Sequence, residues 1–313
     1  MGKERARAAI ALGHELAAVY DPDISKARTL AGDYRGAVIP ELEHEIPWSS
    51  LDAIFVCTPP GCRTRYELAA IEAGVPFFVE KPVAVNAADC LAVRAALNGK
   101  PTLNCVGYMN RCRSSLLFAR QVLAGHDILG ACCHWVGRKY QVGWWLEEEQ
   151  SGGPLNEQAT HAFDLFRFLV GEISAVGATT ANSGSGALPL SVACTVNFRG
   201  GQLGTIFYSC EAADKNINLR VITARGMLEF AGWDLRLITN TIDGVLPRNS
   251  DEDIFVSETS RFLTAVERSD ASLVPCDVLD AYQTQLAVDA ARESLRTGER
   301  VPTGSRSHLE ASA

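Results

Sequence analysis

The chain has 313 residues, 47% hydrophobic and 21% charged, which is enough apolar material for two domains or one large one. Lys and Arg total 29 against 37 Asp and Glu, a net charge of −8 with no basic stripe, which argues against a nucleic-acid partner. No apolar run is long enough to span a bilayer, the N-terminus lacks a signal-peptide plan, and ten scattered cysteines without a CxxC pair read as free thiols of a reducing cytoplasm, not disulfides or zinc ligands.

Ala6, Ala9 and Ile10 recur at helical spacing, so residues 3–12 form a helix. Leu16-Ala-Ala-Val-Tyr20 follows as a strand ending at Asp21, then a helix carrying Ile24, Ala27, Leu30 and Ala31. The next strand covers residues 51–57, and Thr58 and Pro59 close it. A helix over 63–73 stops at Gly74. The run Val75-Pro-Phe-Phe-Val-Glu-Lys-Pro82 then reads as a strand covered on both faces. Pro82 cannot continue a central ladder, so Lys81 stands at the carboxyl end of a parallel strand, where open α/β sheets place ligands. A helix over 86–97 and a strand over 103–108 complete a βαβ alternation, hence a parallel sheet.

After residue 110 the pattern changes. A helix near 113–123 leads to a strand over 128–137, a Trp144-Trp145 segment and a helix over 154–170. Strand-like runs occupy 173–181, 190–198, 202–210, 217–224, 226–230 and 234–239, with a Gly200-Gly201 hairpin between two of them. Two helices close the chain, with stripes at Phe255, Thr259, Phe262 and Val266 and at Val278, Tyr282, Leu286 and Ala290. The expected fold is α/β: a Rossmann-type parallel sheet over 1–110 with its first strand missing, and an α+β domain over 111–313 with a large, open, mostly antiparallel sheet. The last helix is expected to pack back on the first domain. An open sheet face of this size calls for a homodimer or homotetramer.

On the helix at 154–170, Glu157, His161 and Asp164 fall at i, i+4 and i+7 and share one face. A histidine between two carboxylates is a proton-transfer group. The same pattern also fits a hydrogen-bonded polar seam, and a metal site fits less well because no further histidines stand at ligand spacing. Asp21, at the end of a second Rossmann strand, suits the adenosine ribose hydroxyls, while Asp23 fits the cap of the helix that follows. Thr58 and Pro59 end their strand at the same sheet edge.

These residues bring the chain close to a family. Leu16-Ala-Ala-Val-Tyr-Asp21, Cys57-Thr-Pro-Pro60, Glu80-Lys-Pro82, Gly107-Tyr-Met-Asn-Arg111 and Gly152-Gly-Pro-Leu-Asn-Glu-Gln-Ala-Thr-His161 resemble the glucose–fructose oxidoreductase/inositol dehydrogenase (Gfo/Idh/MocA) family over nearly the whole chain. The resemblance implies NAD-linked oxidation of a sugar, cyclitol or polyol alcohol. It implies that Lys81 contacts the substrate oxygen, that His161 is the general acid/base, and that Glu157 stands where the family usually has aspartate. It places Glu80 and Lys81 beside the cofactor, and Tyr108, Arg111, Trp145 and Asp164 at the substrate cleft. Asp21 favours NAD over NADP because a carboxylate repels a 2′-phosphate. A non-redox member performing elimination or glycoside cleavage, and a silent sugar-binding or partner subunit, are the alternatives. The family opens with a strand and a G-x-G-x-x-G turn, whereas this chain begins Met1-Gly2-Lys3 at what would be the third glycine, the one for close helix–strand packing. Either the true start lies upstream, the favoured expectation, or a naturally short chain binds dinucleotide weakly or not at all.

Overall fold

The computed structural model describes residues 1–34, 36–181, 188–247 and 253–304. The first lobe runs through α1 (Gly2–Ala11), α2 (Ile24–Gly32), β1 (Ile54–Val56), α3 (Thr64–Ala73), β2 (Phe77–Val79), α4 (Cys90–Gly99) and β3 (Asn104–Val106). β1, β2 and β3 pair in parallel in that order, with Phe77, Phe78 and Val79 fully buried in the middle. A centre strand covered on both faces has no polar side to show, hence the unbroken apolar run. Asp23 caps α2 by accepting the amide of Ser25.

Leu16–Tyr20, expected as a strand, forms only an isolated parallel bridge between Ala18 and Val38. Two backbone bonds of 2.9 Å, Val19 N–H to Val38 O and Val38 N–H to Ala17 O, make up that contact. A ladder needs successive partners along its length, and Val38 supplies one position.

The second lobe follows through α5 (Ser114–Leu123), β4 (Ile128–Arg138), α6 (Glu148–Ser151), a π-helical turn (Leu155–Ala159), α7 (Thr160–Leu169), β5 (Ile173–Thr180), β6 (Ser191–Phe198), β7 (Leu203–Ser209), β8 (Glu211–Thr223), β9 (Gly226–Ala231) and β10 (Arg236–Asn240). After α8 (Ile254–Arg268) and α9 (Val278–Thr297), a short β11 (Val301–Pro302), not read from the sequence, adds to the sheet edge. The order is β10-β9-β8-β4-β7-β6-β5-β11, antiparallel except for the parallel pair β4–β7. β8 begins six residues earlier than its apolar alternation suggested, because β4 templates it out to the pairing of Arg138 with Glu211. The alternation sends Ala131, Cys133 and Trp135, and Ile217, Leu219 and Val221, into one core with α7. The other face carries Leu203 (62% exposed), Phe207 (47%), Ile222 and Ile238.

The last helix packs back on the first lobe as expected, with its first half, and α8 returns there too: Phe262 packs on Phe55 and Phe78, and Arg5 of α1 pairs with Glu258 at 2.5 Å. α9 straddles both lobes. Its first half (Val278, Ala281, Tyr282, Leu286) belongs to the core around β2, and its second half (Ala287, Val288, Ala290, Ala291) to the core of the large sheet. The two lobes are therefore tied by more than one crossing of the chain.

Candidate functional site

The carboxyl ends of the three parallel strands present Thr58, Lys81 and Tyr108 in turn. The Lys81–Pro82 peptide is cis. Arg63 holds this edge together. Its buried guanidinium donates to the carbonyls of Thr58, Glu80 and Pro82, the last at 2.6 Å. Three carbonyls on one planar fork fix two loops relative to each other.

Facing this edge is the π-turn, in place of the continuous α-helix expected over 154–170. Gly152 permits the entry. Its φ is +74°, and a Cβ there would lie 2.5 Å from the Asn156 amide nitrogen and 2.8 Å from Val85 O. Asn156 then latches the turn in place. Its amide donates to Ala84 O (3.0 Å) and Ser151 O (2.8 Å), and its oxygen accepts from Gln285 of α9 (2.8 Å). An inserted residue re-aims side chains, and such π-turns concentrate at functional sites.

Lys81 reaches across to this turn. Its Nζ donates to the Glu157 carbonyl at 2.7 Å and to Glu157 Oε1. Glu157 Oε2 accepts from Trp145 Nε1 at 2.8 Å and from Gln158 Nε2 at 2.5 Å. His161, 4% exposed, stacks on Trp135 with centroids 5.1 Å apart and planes 14° from parallel, and Tyr108 meets it edge-on at 6.4 Å. Tyr108 is itself fixed by a 2.7 Å bond to Thr160 Oγ1. His161 Nδ1 is buried with no partner among the described residues. Burial, then the charges of Lys81, Lys215 and Arg113, hold the imidazole well below its ordinary pKa, so it is neutral at pH 7. Beside it opens a cleft of about 370 Å³ lined by Trp135, Tyr140, Gln158, Tyr208 and Lys215, among others.

The structure thus brings Lys81, Glu157 and Trp145 into direct contact, with His161 and Tyr108 beside them. Other expected residues lie elsewhere. Glu80, expected at the cofactor, is buried and pairs with Arg5 at 2.7 Å, pinning α1 beneath the sheet end. Arg111 and Asp164, expected in the substrate cleft, form a buried pair at 2.6 Å that continues to Asp280, Arg167 and Glu172. Asp164 lies three residues beyond His161, almost a full turn deeper, where Arg111 and Thr284 meet it. The face shared by all three residues is therefore broken. Asp21 accepts the Asp23 amide at 2.9 Å, a local turn bond. A Cβ on Gly2 would meet only Cys57 Cβ, at an ordinary 3.9 Å, so packing there does not require glycine. Pro59 precedes a short 3₁₀ turn over Pro60–Cys62, and Thr58 Oγ1 is buried without a partner among the described residues.

Arg63, Trp135, Asn156, Gln158 and Lys215 were not singled out from the sequence. Trp135 alone left a signal, as the third inward position of an alternating strand. The others gain their meaning from segments far away in the chain. All ten cysteines are free. Among the described residues no helix is long and apolar enough to cross a membrane, and no three His, Cys, Asp or Glu side chains gather to hold a metal.

Comparison with known proteins gives two family matches. Residues 1–108 match the oxidoreductase family with an NAD-binding Rossmann fold, and residues 127–229 match the GFO/IDH/MocA C-terminal domain. Inositol 2-dehydrogenase of Acidothermus cellulolyticus is 32% identical over 178 residues, 54% of this chain and 50% of that protein. Inositol 2-dehydrogenase 4 of Saccharopolyspora erythraea is 29% identical over 211 residues, 63% of this chain and 60% of that protein. The chain spans about half the length of the first curated relatives it matches. Among solved structures, GenD2 from gentamicin A biosynthesis in complex with NAD superposes with a TM-score of 0.83 at 20% identity, covering 97% of this chain and 94% of that one. Levoglucosan dehydrogenase in complex with NADH and L-sorbose gives 0.82 at 19% identity, covering 97% and 96%. At these identities the likeness is one of fold.

Proposed function

The chain belongs to the GFO/IDH/MocA oxidoreductase family, and we propose that it transfers a hydride between NAD(H) and a secondary alcohol of a sugar, cyclitol or related polyol. The observation that carries this reading is the meeting of Lys81 with Glu157 beside a neutral, buried His161 at the carboxyl edge of the parallel sheet. Residues 1–110 take the dinucleotide, and residues 111–313 take the substrate and the second subunit. The Thr58 hydroxyl at the carboxyl edge of the parallel sheet, without a partner among the described residues, fits a ligand there. Asp21, Thr58, Pro59 and Lys81 would hold the cofactor, and the Asp21 carboxylate favours NAD over NADP. When bound, the nicotinamide supplies the hydride acceptor.

The chain's own residues handle the proton and the oxygen. His161, neutral at pH 7, takes the hydroxyl proton. The Lys81 ammonium has three N–H donors and gives two to Glu157, leaving one for the substrate oxygen as it becomes a carbonyl. Glu157, held from its other side by Trp145 and Gln158, keeps Lys81 aimed. The reverse reaction returns the proton from His161 to the alkoxide.

The test is NADH formation by the purified full chain from a panel of polyols that includes myo-inositol. His161→Ala should lower kcat about 100- to 10,000-fold, the range for a lost acid/base group, and leave NADH affinity much less affected. Equal losses in both would overturn the assignment. The exposed apolar face with Leu203, Phe207 and Ile222 supports a homodimer or homotetramer, and a monomer in light scattering would remove that part. Ten free thiols suit a reducing, cytoplasmic setting.

A further inference from the structure

Resting on that reading of the site, we propose that the substrate carries an anionic substituent, a carboxylate or a phosphate, and that Lys215 is the residue that meets it. The chain as a whole is strongly acidic, at −8, yet its cleft is lined by Arg138, Lys139 and Lys215 against a single acid, Asp214. Arg138 already has partners, the Ala213 carbonyl and Asp214 at 3.4 Å. Lys81, deeper in, is neutralised by Glu157, and Arg113 has Asp234 nearby.

Lys215 has no such counter-charge among the described residues. Its ammonium lies 3.5 Å from the centre of the Trp233 ring, a cation–π contact that orients the side chain while the N–H donors turned away from the ring stay available. Arg113 holds the Trp233 backbone, donating to its carbonyl at 2.9 Å, and its guanidinium carbon lies 5.8 Å from the ring centre. Burial first, and then the neighbouring charges of Lys81 and Arg113, push the Lys215 pKa down to about 8.

A neutral polyol can be read entirely by hydrogen bonds and has no need of an oriented cation at the rim. An anion on the substrate supplies the missing charge, and its position at the Trp233 end leaves the reacting alcohol to Lys81 and His161. Attraction of an acidic ligand into a positive cleft of an otherwise acidic protein also discriminates against bulk anion binding elsewhere on the surface.

The experiment is calorimetric titration of the full chain, saturated with NADH, with glucuronate, glucose 6-phosphate and glucose. At least one of the two anions should bind about tenfold more tightly than glucose, the scale of one charge-assisted hydrogen bond, and which one does so separates carboxylate from phosphate. Lys215→Gln should bring that ratio close to one, and Lys215→Arg should retain it. Glucose binding as tightly as both anions, or an anion preference that survives in Lys215→Gln, would overturn the proposal. Binding is read without turnover, so the two readings fail separately. A lysine-dependent anion preference in a protein that never reduces NAD would remove only the dehydrogenase reading. Efficient oxidation of neutral polyols with no anion preference would remove only this one.

Discussion

Glu157→Gln is the most informative single change at the site. The carboxylate accepts from three directions: Lys81 at Oε1, and Trp145 (2.8 Å) and Gln158 (2.5 Å) at Oε2. Glutamine has one acceptor oxygen and two N–H donors, so one side of the group must face donor against donor. Losing a charge-assisted hydrogen bond at a buried group costs about 1.5–3 kcal/mol, and breaking a fully buried ion pair about 3–5 kcal/mol. Here the paired side chains keep 12% and 10% exposure, so water partly relieves the stranded ammonium. The expected loss of stability is thus about 3 kcal/mol, at the lower end of the buried-pair range. Urea unfolding at pH 7, followed by tryptophan fluorescence, measures it. In the hydride-transfer assay the same variant should lose kcat, because Lys81 is no longer held toward the alcohol. Glu157→Asp keeps the charge but not the reach, so it satisfies either Lys81 or the Trp145–Gln158 pair and should fall between wild type and Gln. A Glu157→Gln protein within about 0.5 kcal/mol of wild type, the range of an ordinary surface substitution, would refute the anchoring role.

Two further outcomes test the surroundings. Arg5→Met leaves Glu80 and Glu258 buried without their cation and should cost about 3–5 kcal/mol at pH 8. Burial already lifts Glu258 to about 7, so its folded pKa is raised: it disfavours folding as pH climbs from the ordinary carboxylate range through 7. The Arg5→Met deficit should therefore shrink at pH 5, and a deficit independent of pH in chemical denaturation would count against the buried-charge account. For His161 the folded pKa is depressed, so the unfolded chain takes the proton first. Its contribution is intact above the ordinary histidine value near about 6.5 and is lost as pH falls below it. The acid limb of kcat/KM should lie below that value as well, and a midpoint at or above it would contradict a neutral buried base.

Much of the architecture is local in origin and was readable from the chain. Alternation marked β4 to β10 within a few residues, except at the start of β8, and Gly74, with φ +73°, ended α3 where the sequence placed a stop. The Glu-Lys-Pro and Gly-Gly…His segments identified the family and the three side chains Lys81, Glu157 and His161. What stayed hidden were quantities that depend on a distant partner. The strand at Leu16–Tyr20 has strand-like composition but only one backbone partner at Val38. Glu80, Arg111 and Asp164 are charged residues at plausible site positions, and only the folded chain pairs Glu80 with Arg5, and Arg111 with both Asp164 and Asp280, far along the sequence. The π-turn that carries Glu157 past its α-helical position, and the Arg63 fork that sets the Lys81 loop, arise the same way. Periodicity is written into neighbouring residues by the geometry of the backbone, whereas where a buried charge ends up is decided by which counter-charge the fold brings to it.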